Sequence, residues 1–200
     1  TCNRPVISVG NLSVEGSGKT PLVATLARML LEWGERPAIL SRGYARRHVA
    51  DGVVVVSDRH RVLEPVSRSG DEPQMLARAL PGVPVLVAAD RYLAGRIAER
   101  RFGCTVHLLD DGFQHFTLAR NVDLLLVSPE DVHDTVLPGG RLREPLDAAR
   151  AADAVLVPGG EHEKMEVAAR LGIGTTFRVA TKFGAARLLE PFGALLPPVS

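Results

Sequence analysis

A short apolar run that leads into a glycine-rich loop constrains the fold of this chain more than any other feature. Val6-Ile7-Ser8-Val9 is typical of a buried strand, and Gly10–Thr20 forms the loop that follows. Residues Pro21–Trp33 predict a helix whose buried face carries apolar side chains three and four residues apart, namely Leu22, Leu26, Met29, Leu30 and Trp33. Strand, loop and helix in this order predict a phosphate-binding loop.

The end of this loop has the residue types that phosphate binding requires. We expect Gly16, Ser17 and Gly18 to bring backbone N–H groups to the phosphates of a nucleotide. We expect the Lys19 ammonium to reach the β- and γ-phosphates, and the Thr20 hydroxyl to hold Mg²⁺. The loop therefore predicts a site for ATP and Mg²⁺.

Apolar strands alternate with amphipathic helices along the rest of the chain. The predicted strands after the first are Ala38–Leu40, Val53–Val56, Val83–Ala88, Val106–Leu109, Asp123–Val127 and Ala154–Val157. The predicted helices after the first are Pro73–Leu80, Arg91–Phe102 and Glu161–Leu171. This alternation predicts an α/β fold, layered like a P-loop NTPase around a mostly parallel sheet, with ligands at the carboxyl ends of the strands.

Composition excludes several classes of protein. The 200 residues include 24 Lys+Arg and 23 Asp+Glu, so a net charge of +1 gives no general basic field for nucleic acid. Cys2 and Cys104 lack C-x-x-C spacing, which excludes a disulfide scaffold and a cysteine zinc site. The chain has no apolar run near the roughly 18 residues of a membrane-spanning helix. It begins with Thr1, so we expect it to be a segment of a longer protein.

Two acidic pairs are candidates for catalysis or metal binding. Asp110 and Asp111 follow a buried strand, where an acid beside a phosphate loop completes a Mg²⁺ site. Asp71 and Glu72 lie on a turn before a helix, a position that acidic side chains also favour for purely structural reasons.

Further polar side chains follow other predicted strands. The candidates for contact with a substrate or phosphate are Arg42, Tyr44, Gln114, His115, Arg141 and Arg143. Arginines in such loops clamp phosphate groups or neutralise charge that develops on a transferred phosphoryl group.

The collinear order of these motifs resembles the tetraacyldisaccharide 4′-kinase family, the lipid A 4′-kinases of Gram-negative bacteria. The motifs are Gly-Asn-Leu…Gly-Lys-Thr-Pro, Ser-Arg-Gly-Tyr, Gly-Asp-Glu-Pro, Asp-Asp-Gly-Phe-Gln-His and Leu-Pro-Gly-Gly-Arg-Leu-Arg-Glu-Pro, within residues 5–157. The resemblance implies a kinase that uses ATP and Mg²⁺ to phosphorylate the 4′-hydroxyl of a tetraacyldisaccharide 1-phosphate, giving lipid IVA. It also implies peripheral contact with the cytoplasmic face of the inner membrane in the full-length protein, and no nucleic-acid partner.

Roles for single residues follow from the same resemblance. Asp71 matches the family's proposed catalytic base, with Glu72 beside it. Thr20, Glu72, Asp110 and Asp111 are the expected metal ligands. The resemblance assigns Lys19, His115 and Arg143 to catalysis or phosphate handling, and Arg42, Tyr44, Gln114 and Arg141 to the substrate. It implies a nucleotide-binding kinase domain at residues 1–157, and a linker with the incomplete start of a second, smaller α/β domain at residues 158–200.

Three other interpretations stay open on the residues alone. The same loop and acids would serve a kinase of a soluble small molecule, or an ATPase that switches state with a partner protein. A remnant that binds nucleotide without catalysis is the third. Whether Asp71 is a base or a second metal ligand is also open.

Overall fold

The computed structural model describes residues 2–14, 18–43 and 52–180, and within them eight strands form one sheet. The strands are β1 (Val6–Asn11), β2 (Pro37–Ser41), β3 (Val54–Ser57), β4 (Val85–Val87), β5 (Val106–Asp110), β6 (Val122–Leu126), β7 (Ala154–Pro158) and β8 (Thr176–Val179). The helices are α1 (Lys19–Glu32), α2 (Val66–Ser69), α3 (Asp71–Ala79), α4 (Arg91–Phe102) and α5 (Glu161–Leu171). The predicted strands and helices are all present, whereas the sequence analysis missed α2 and β8.

The sheet is parallel except at one edge, which confirms the predicted fold class. The strand order is β3-β4-β2-β5-β1-β6-β7-β8, and only β3 pairs antiparallel with its neighbour among these strands. β1 lies between β5 and β6, with Val9 opposite Asp110 and Asn11 opposite Leu126. The phosphate-loop segment therefore leaves the sheet beside the strand that ends in the acidic pair.

Side chains alternate between the two faces of the sheet, as buried parallel strands require. On β5, Leu108 packs in the cluster that contains α1 and α3, while Leu109 packs in the cluster that contains α4. On β6, Leu124 packs against the α1 cluster and Leu125 packs in the cluster that contains α5. Helices thus cover both faces and leave the carboxyl edge of the sheet to the loops.

The predicted buried face of α1 is wrong in part. Met29 and Trp33 are 39% and 69% exposed, while Val23 and Ala27 are buried against the sheet. Val23 and Ala27 share a core cluster with Leu76 of α3 and with residues of the central strands, so this is the face of α1 that the fold covers. Of the larger side chains that hydrophobic periodicity favoured, Leu30 is buried as predicted and Leu22 and Leu26 are partly buried.

The sheet continues across the predicted domain boundary. α5 packs against β7, and β8 pairs in parallel with β7, with Val155 opposite Thr176 and Pro158 opposite Val179. The first 22 residues of the predicted second region, up to Val179, are thus built onto the same eight-stranded sheet. The assignment of residues 158–200 to another domain stays a prediction. None of the described helices is both long and apolar enough to cross a bilayer.

The carboxyl end of β1 depends on a glycine at position 10. A Cβ atom there would lie 2.4 Å from Phe113 Cβ and 2.9 Å from the Phe113 backbone nitrogen. Real Cβ contacts are never that short, so a side chain would force the segment after β5 away from β1. This close approach brings the residues around Asp111 to the phosphate-loop segment.

We predict that Gly10→Ala destabilises the chain by about 1–3 kcal/mol, the usual cost of overpacking a close contact. The measurement is urea unfolding followed by circular dichroism. Gly174→Ala is the matched control, because a Cβ atom at Gly174 has nothing within 4 Å. Equal stability of the two variants would contradict the steric argument.

Candidate functional site

The predicted site residues converge where the ends of β1 and β5 meet the N-terminus of α1. Gly18 precedes the helix with φ of 87°, a left-handed conformation that glycine adopts without strain. Lys19 and Thr20 begin α1, and the Lys19 side chain is largely buried, being 11% exposed. Gly16, Ser17 and Tyr44 lie outside the described residues, so their predicted roles stay predictions.

Lys19 is held between the end of β1 and the acidic pair. Its ammonium donates a 2.7 Å hydrogen bond to Asn11 Oδ1 and lies 3.5 Å from Asp111 Oδ1. Asn11 is fully buried, and its Nδ2 donates to Ser13 Oγ at 3.1 Å. The lysine is therefore oriented by a side chain that the sequence analysis did not assign, although a buried amide at a strand end is a recognisable signal.

Asp111 is the acceptor for two basic groups. Arg143 Nη1 donates to both carboxylate oxygens at 3.0 Å, and also to Gln114 Oε1 at 3.3 Å. Gln114 Nε2 in turn donates to the backbone oxygen of Asn11 at 3.0 Å. Lys19, Asp111, Arg143, Gln114 and Asn11 thus form a closed ring, which we call the anchoring ring.

A second segment lies alongside the phosphate-loop segment and delivers Arg143 to this ring. The Arg143 N–H donates to the Leu12 carbonyl at 2.6 Å, and the Val14 N–H donates to the Arg141 carbonyl at 2.9 Å. Arg141 itself is bound by its Nε to Asp134 Oδ2 at 2.6 Å, with Asp134 as a partner that sequence analysis missed. The contact of Arg141 with a substrate stays a prediction, and the contact that the structure shows is the one with Asp134.

Asp110 differs from Asp111 in having an unsatisfied oxygen. It ends β5, is 2% exposed, and its Oδ2 accepts no hydrogen bond from any of the described residues. Burial, together with the negative charges of Glu72 and Asp111, raises the pKa of Asp110 to about 7 against the opposing charges of Lys19 and Arg91. A buried carboxylate oxygen without a partner beside other carboxylates is a site that a divalent cation fits.

Glu72 and Asp71 occupy the first turn of α3 and are both exposed. The electrostatic effect of Glu72 on Asp110 shows that the α3 N-terminus lies near the acidic end of β5. Asp71 makes no hydrogen bond or ion pair with another described residue, so it is available to a ligand. The structure thus places the two acidic pairs at the same edge of the sheet.

His115 lies in the loop after β5, where its Nε2 is 2.9 Å from Thr117 Oγ1. Partial burial lowers the pKa of His115, and Arg91, Arg120 and Arg42 lower it further, so the neutral imidazole is favoured at pH 7. Arg120, which sequence analysis missed, donates to the carbonyls of Gly112 and Phe113 at 3.1 and 2.9 Å. This arginine fixes the loop that carries His115 and Gln114.

We predict that Asp110→Asn stabilises the chain when no divalent cation is present. The folded pKa of about 7 lies above the ordinary value of 3.8, so folded Asp110 holds a proton that the unfolded chain releases. The contribution of Asp110 to the stability of the wild type therefore falls as pH rises between these two values, by an amount on the order of a few kcal/mol, and is flat above them.

Thermal unfolding of both chains across this pH range, with a chelator present, measures the effect. The difference in unfolding free energy between Asp110→Asn and the wild type should grow as pH rises towards 7 and then stay constant. Asp147→Asn is the matched control, because that carboxylate is 89% exposed. A pH-independent difference at Asp110 would show that burial does not strain its ionised form.

Comparison with known proteins identifies relatives over most of the chain. The family model described as LpxK, tetraacyldisaccharide-1-P 4′-kinase, matches residues 1–191. The tetraacyldisaccharide 4′-kinase of Geobacter metallireducens is 47% identical over 156 residues, which are 77% of this chain and 46% of that protein. The enzyme of Aquifex aeolicus is 45% identical over 162 residues, which are 81% of this chain and 50% of that protein.

A solved structure agrees with these relatives. The crystal structure of LpxK from Aquifex aeolicus in complex with ATP has a TM-score of 0.73 and 45% sequence identity to this chain. The similarity covers 78% of this chain and 48% of that one. The chain thus spans about half the length of the curated relatives that it matches.

Proposed function

The chain belongs to the tetraacyldisaccharide-1-phosphate 4′-kinase family, and we propose that it forms the ATP-binding half of such a kinase. The full-length protein would transfer the γ-phosphate of ATP to the 4′-hydroxyl of a tetraacyldisaccharide 1-phosphate, the step of lipid A synthesis that gives lipid IVA. Its site would work at the cytoplasmic face of the inner membrane.

The anchoring ring is the observation that supports this proposal. Phosphoryl transfer depends on fixed positive groups that meet the charge spread over the phosphoryl oxygens. Lys19 and Arg143 both converge on Asp111, at 3.5 and 3.0 Å, from two different segments of the chain. Asp111 holds the two cations beside one another against their mutual repulsion, and so gives the site paired donors for phosphate.

Asp110 and Thr20 suit the magnesium ion that ATP brings with it. The unsatisfied oxygen of Asp110 and the hydroxyl of Thr20 are both of the donor type that Mg²⁺ prefers, and Glu72 adds negative charge nearby. Bound magnesium neutralises charge on the phosphates. Asp111 already pairs with Arg143 and Lys19. We therefore assign it the role of positioning these two cations rather than that of a metal ligand.

Asp71 is the candidate base for the acceptor hydroxyl. Its side chain is exposed on the first turn of α3, one residue from Glu72, at the same edge of the sheet as the acidic end of β5. An exposed carboxylate is free to accept the proton that the hydroxyl releases as it attacks phosphorus. Arg42 and His115 lie near one another at this edge, since the charge of Arg42 acts on His115, and they would face the same substrate.

Lys19→Ala should weaken binding of Mg²⁺-ATP to this chain by on the order of 10- to 100-fold, the value of a charge-assisted hydrogen bond. Titration calorimetry measures the dissociation constant. Lys164→Ala removes the same charge from α5, where Lys164 pairs with Glu161, and should bind ATP like the wild type. Equal affinities for all three chains would contradict the assignment of the phosphate loop.

In the full-length protein, Asp71→Asn should lower kcat by on the order of 10²–10⁴, the usual contribution of a positioned base. The KM for ATP should change little, because Asp71 would contact the acceptor hydroxyl. Glu72→Gln is the neighbouring control, and it should alter the Mg²⁺ requirement more than kcat at saturating metal. Steady-state kinetics with the lipid acceptor and with soluble sugars also tests the acceptor class.

Two outcomes would revise the mechanism. If excess Mg²⁺ restores the activity of Asp71→Asn, then Asp71 is a metal ligand and the base lies elsewhere. If only soluble acceptors are phosphorylated, the proposed lipid substrate is wrong while the nucleotide site stands.

A further inference from the structure

A basic cavity lies at the opposite edge of the sheet from the nucleotide site. Its volume is about 370 Å³, within the range of about 300–1,000 Å³ typical of small-molecule pockets. Four arginines line it, Arg4, Arg36, Arg96 and Arg100, with Glu99 as the only acidic residue among the described lining residues. We call this group the arginine cavity.

Three segments of the fold build this cavity. Arg4 precedes β1 and Arg36 precedes β2, so both lie at the amino ends of central strands. Arg96 lies at the middle of α4 and Arg100 in its last turn, and the helix leads into β5. The Thr105 N–H donates to the Arg36 carbonyl at 2.9 Å, and this bond joins the entries of β2 and β5. The arginines are therefore brought together by the topology rather than by one run of sequence.

The single carboxylate of the cavity is already neutralised. Glu99 Oε1 accepts hydrogen bonds from the backbone N–H groups of Asn3 and Arg4 at 2.8 and 3.1 Å. Its Oε2 accepts from Arg96 at 3.0 Å, and buried His107 lies 3.3 Å from Oε1. Glu99 thus fixes the segment before β1 and one arginine, and it has little capacity left to balance the other three.

The remaining guanidinium groups are largely uncommitted. Arg36 uses its Nε to bind the Gly103 carbonyl at 2.7 Å, and its Nη groups form no bond with another described residue. The side chains of Arg4 and Arg100 form no hydrogen bond or ion pair with any described residue. Arg59 adds a further positive charge near Cys104 on the cavity wall.

The helix dipole accounts for only part of this arrangement. Basic side chains in the last turn of α4, Arg100 and Arg101, interact favourably with the partial negative charge of a helix C-terminus. That effect does not explain Arg4 and Arg36, which come from other segments. Arginines gathered around one concave space, with the guanidinium donors of Arg4 and Arg100 and the Nη groups of Arg36 unengaged by described residues, match the oxygens of a phosphate group.

We propose that the arginine cavity is a second anion site, which binds a phosphate group apart from the nucleotide site. The phosphate belongs either to a small soluble anion or to the headgroup of a phospholipid, since both present the same oxygens to the guanidinium groups. Binding there is independent of the proposed kinase reaction, because the cavity lies at the amino ends of β1, β2 and β5 and the reaction at their carboxyl ends.

Amide NMR of the isotope-labelled chain tests the proposal during titration with inorganic phosphate. Saturable shifts are expected at the cavity amides of Glu99, Gly103 and Cys104. The amides of Gly18, Lys19 and Thr20 report the nucleotide site in the same spectra, so the failure of one site is distinguishable from failure of the other.

Two pairs of substitutions remove equal charge from different places. Arg4→Gln with Arg100→Gln removes the positive charges of the two uncommitted arginines from the cavity. This pair should raise the dissociation constant for phosphate at least about tenfold. The control pair is Arg101→Gln, beside Phe102, with Arg170→Gln on α5, and it should leave binding within about twofold of the wild type. If both pairs weaken phosphate binding equally, then binding depends only on the net charge of the chain, and the proposal is overturned.

Sedimentation with vesicles that contain phosphatidic acid, against neutral phosphatidylcholine vesicles, identifies the source of the phosphate. Binding to the acidic vesicles that the cavity pair loses and the control pair retains assigns the site to a lipid headgroup. Saturable NMR shifts without vesicle binding assign it to a soluble anion. If neither ligand binds the wild-type chain at physiological salt, the cavity is not an anion site.

Discussion

Two cations held by one carboxylate organise the carboxyl edge of this sheet. Lys19 comes from the start of α1 and Arg143 from a distant loop, and both are bound to Asp111 after β5. Asp111 itself has a positive φ of 55°, which is uncommon for a residue other than glycine. The strained turn is held by the salt bridges and by the close contact of Gly10 with Phe113. This turn brings the lysine and the arginine to one carboxylate, while Asn11 and Gln114 hold each of them separately.

Neighbouring Asp110 shows the energetic cost of the same arrangement. A buried carboxyl with a pKa raised to about 7 is destabilised in its ionised form, and the surrounding fold must compensate for it. Perturbed acids of this kind are concentrated at functional sites, because the charge that strains the free protein is the charge that binds a cation. The two successive aspartates therefore differ in their partners. Asp110 keeps one buried oxygen without a hydrogen-bond partner among the described residues, whereas Asp111 pairs with Lys19 and Arg143.

The sequence predicted part of this convergence, because the phosphate-loop segment leaves β1 and the acidic pair ends β5, and parallel strands end at the same edge of a sheet. Lys19, Asp111, Gln114 and Arg143 meet there, although Arg143 lies in a loop well beyond the end of β6. Their roles in binding and catalysis stay predictions. Contacts within the long loops were not predictable, since nothing in the local pattern pairs Arg141 with Asp134 or Arg120 with the carbonyls after β5. The buried face of α1 was misjudged in part, since the small Ala27 is buried while the larger Met29 is 39% exposed.

Net charge conceals how this chain distributes its positive groups. The total of +1 excludes a general basic field, yet arginines gather at both edges of the sheet. The edges are separated by the five residues of β5, about 16 Å at 3.3 Å per residue. Unit charges at that distance interact by about 1 kcal/mol or less near a protein surface, before salt screens them over a Debye length of about 8 Å. Anions at the two edges would therefore bind nearly independently, and any stronger coupling would have to pass through movement of β5 or α4.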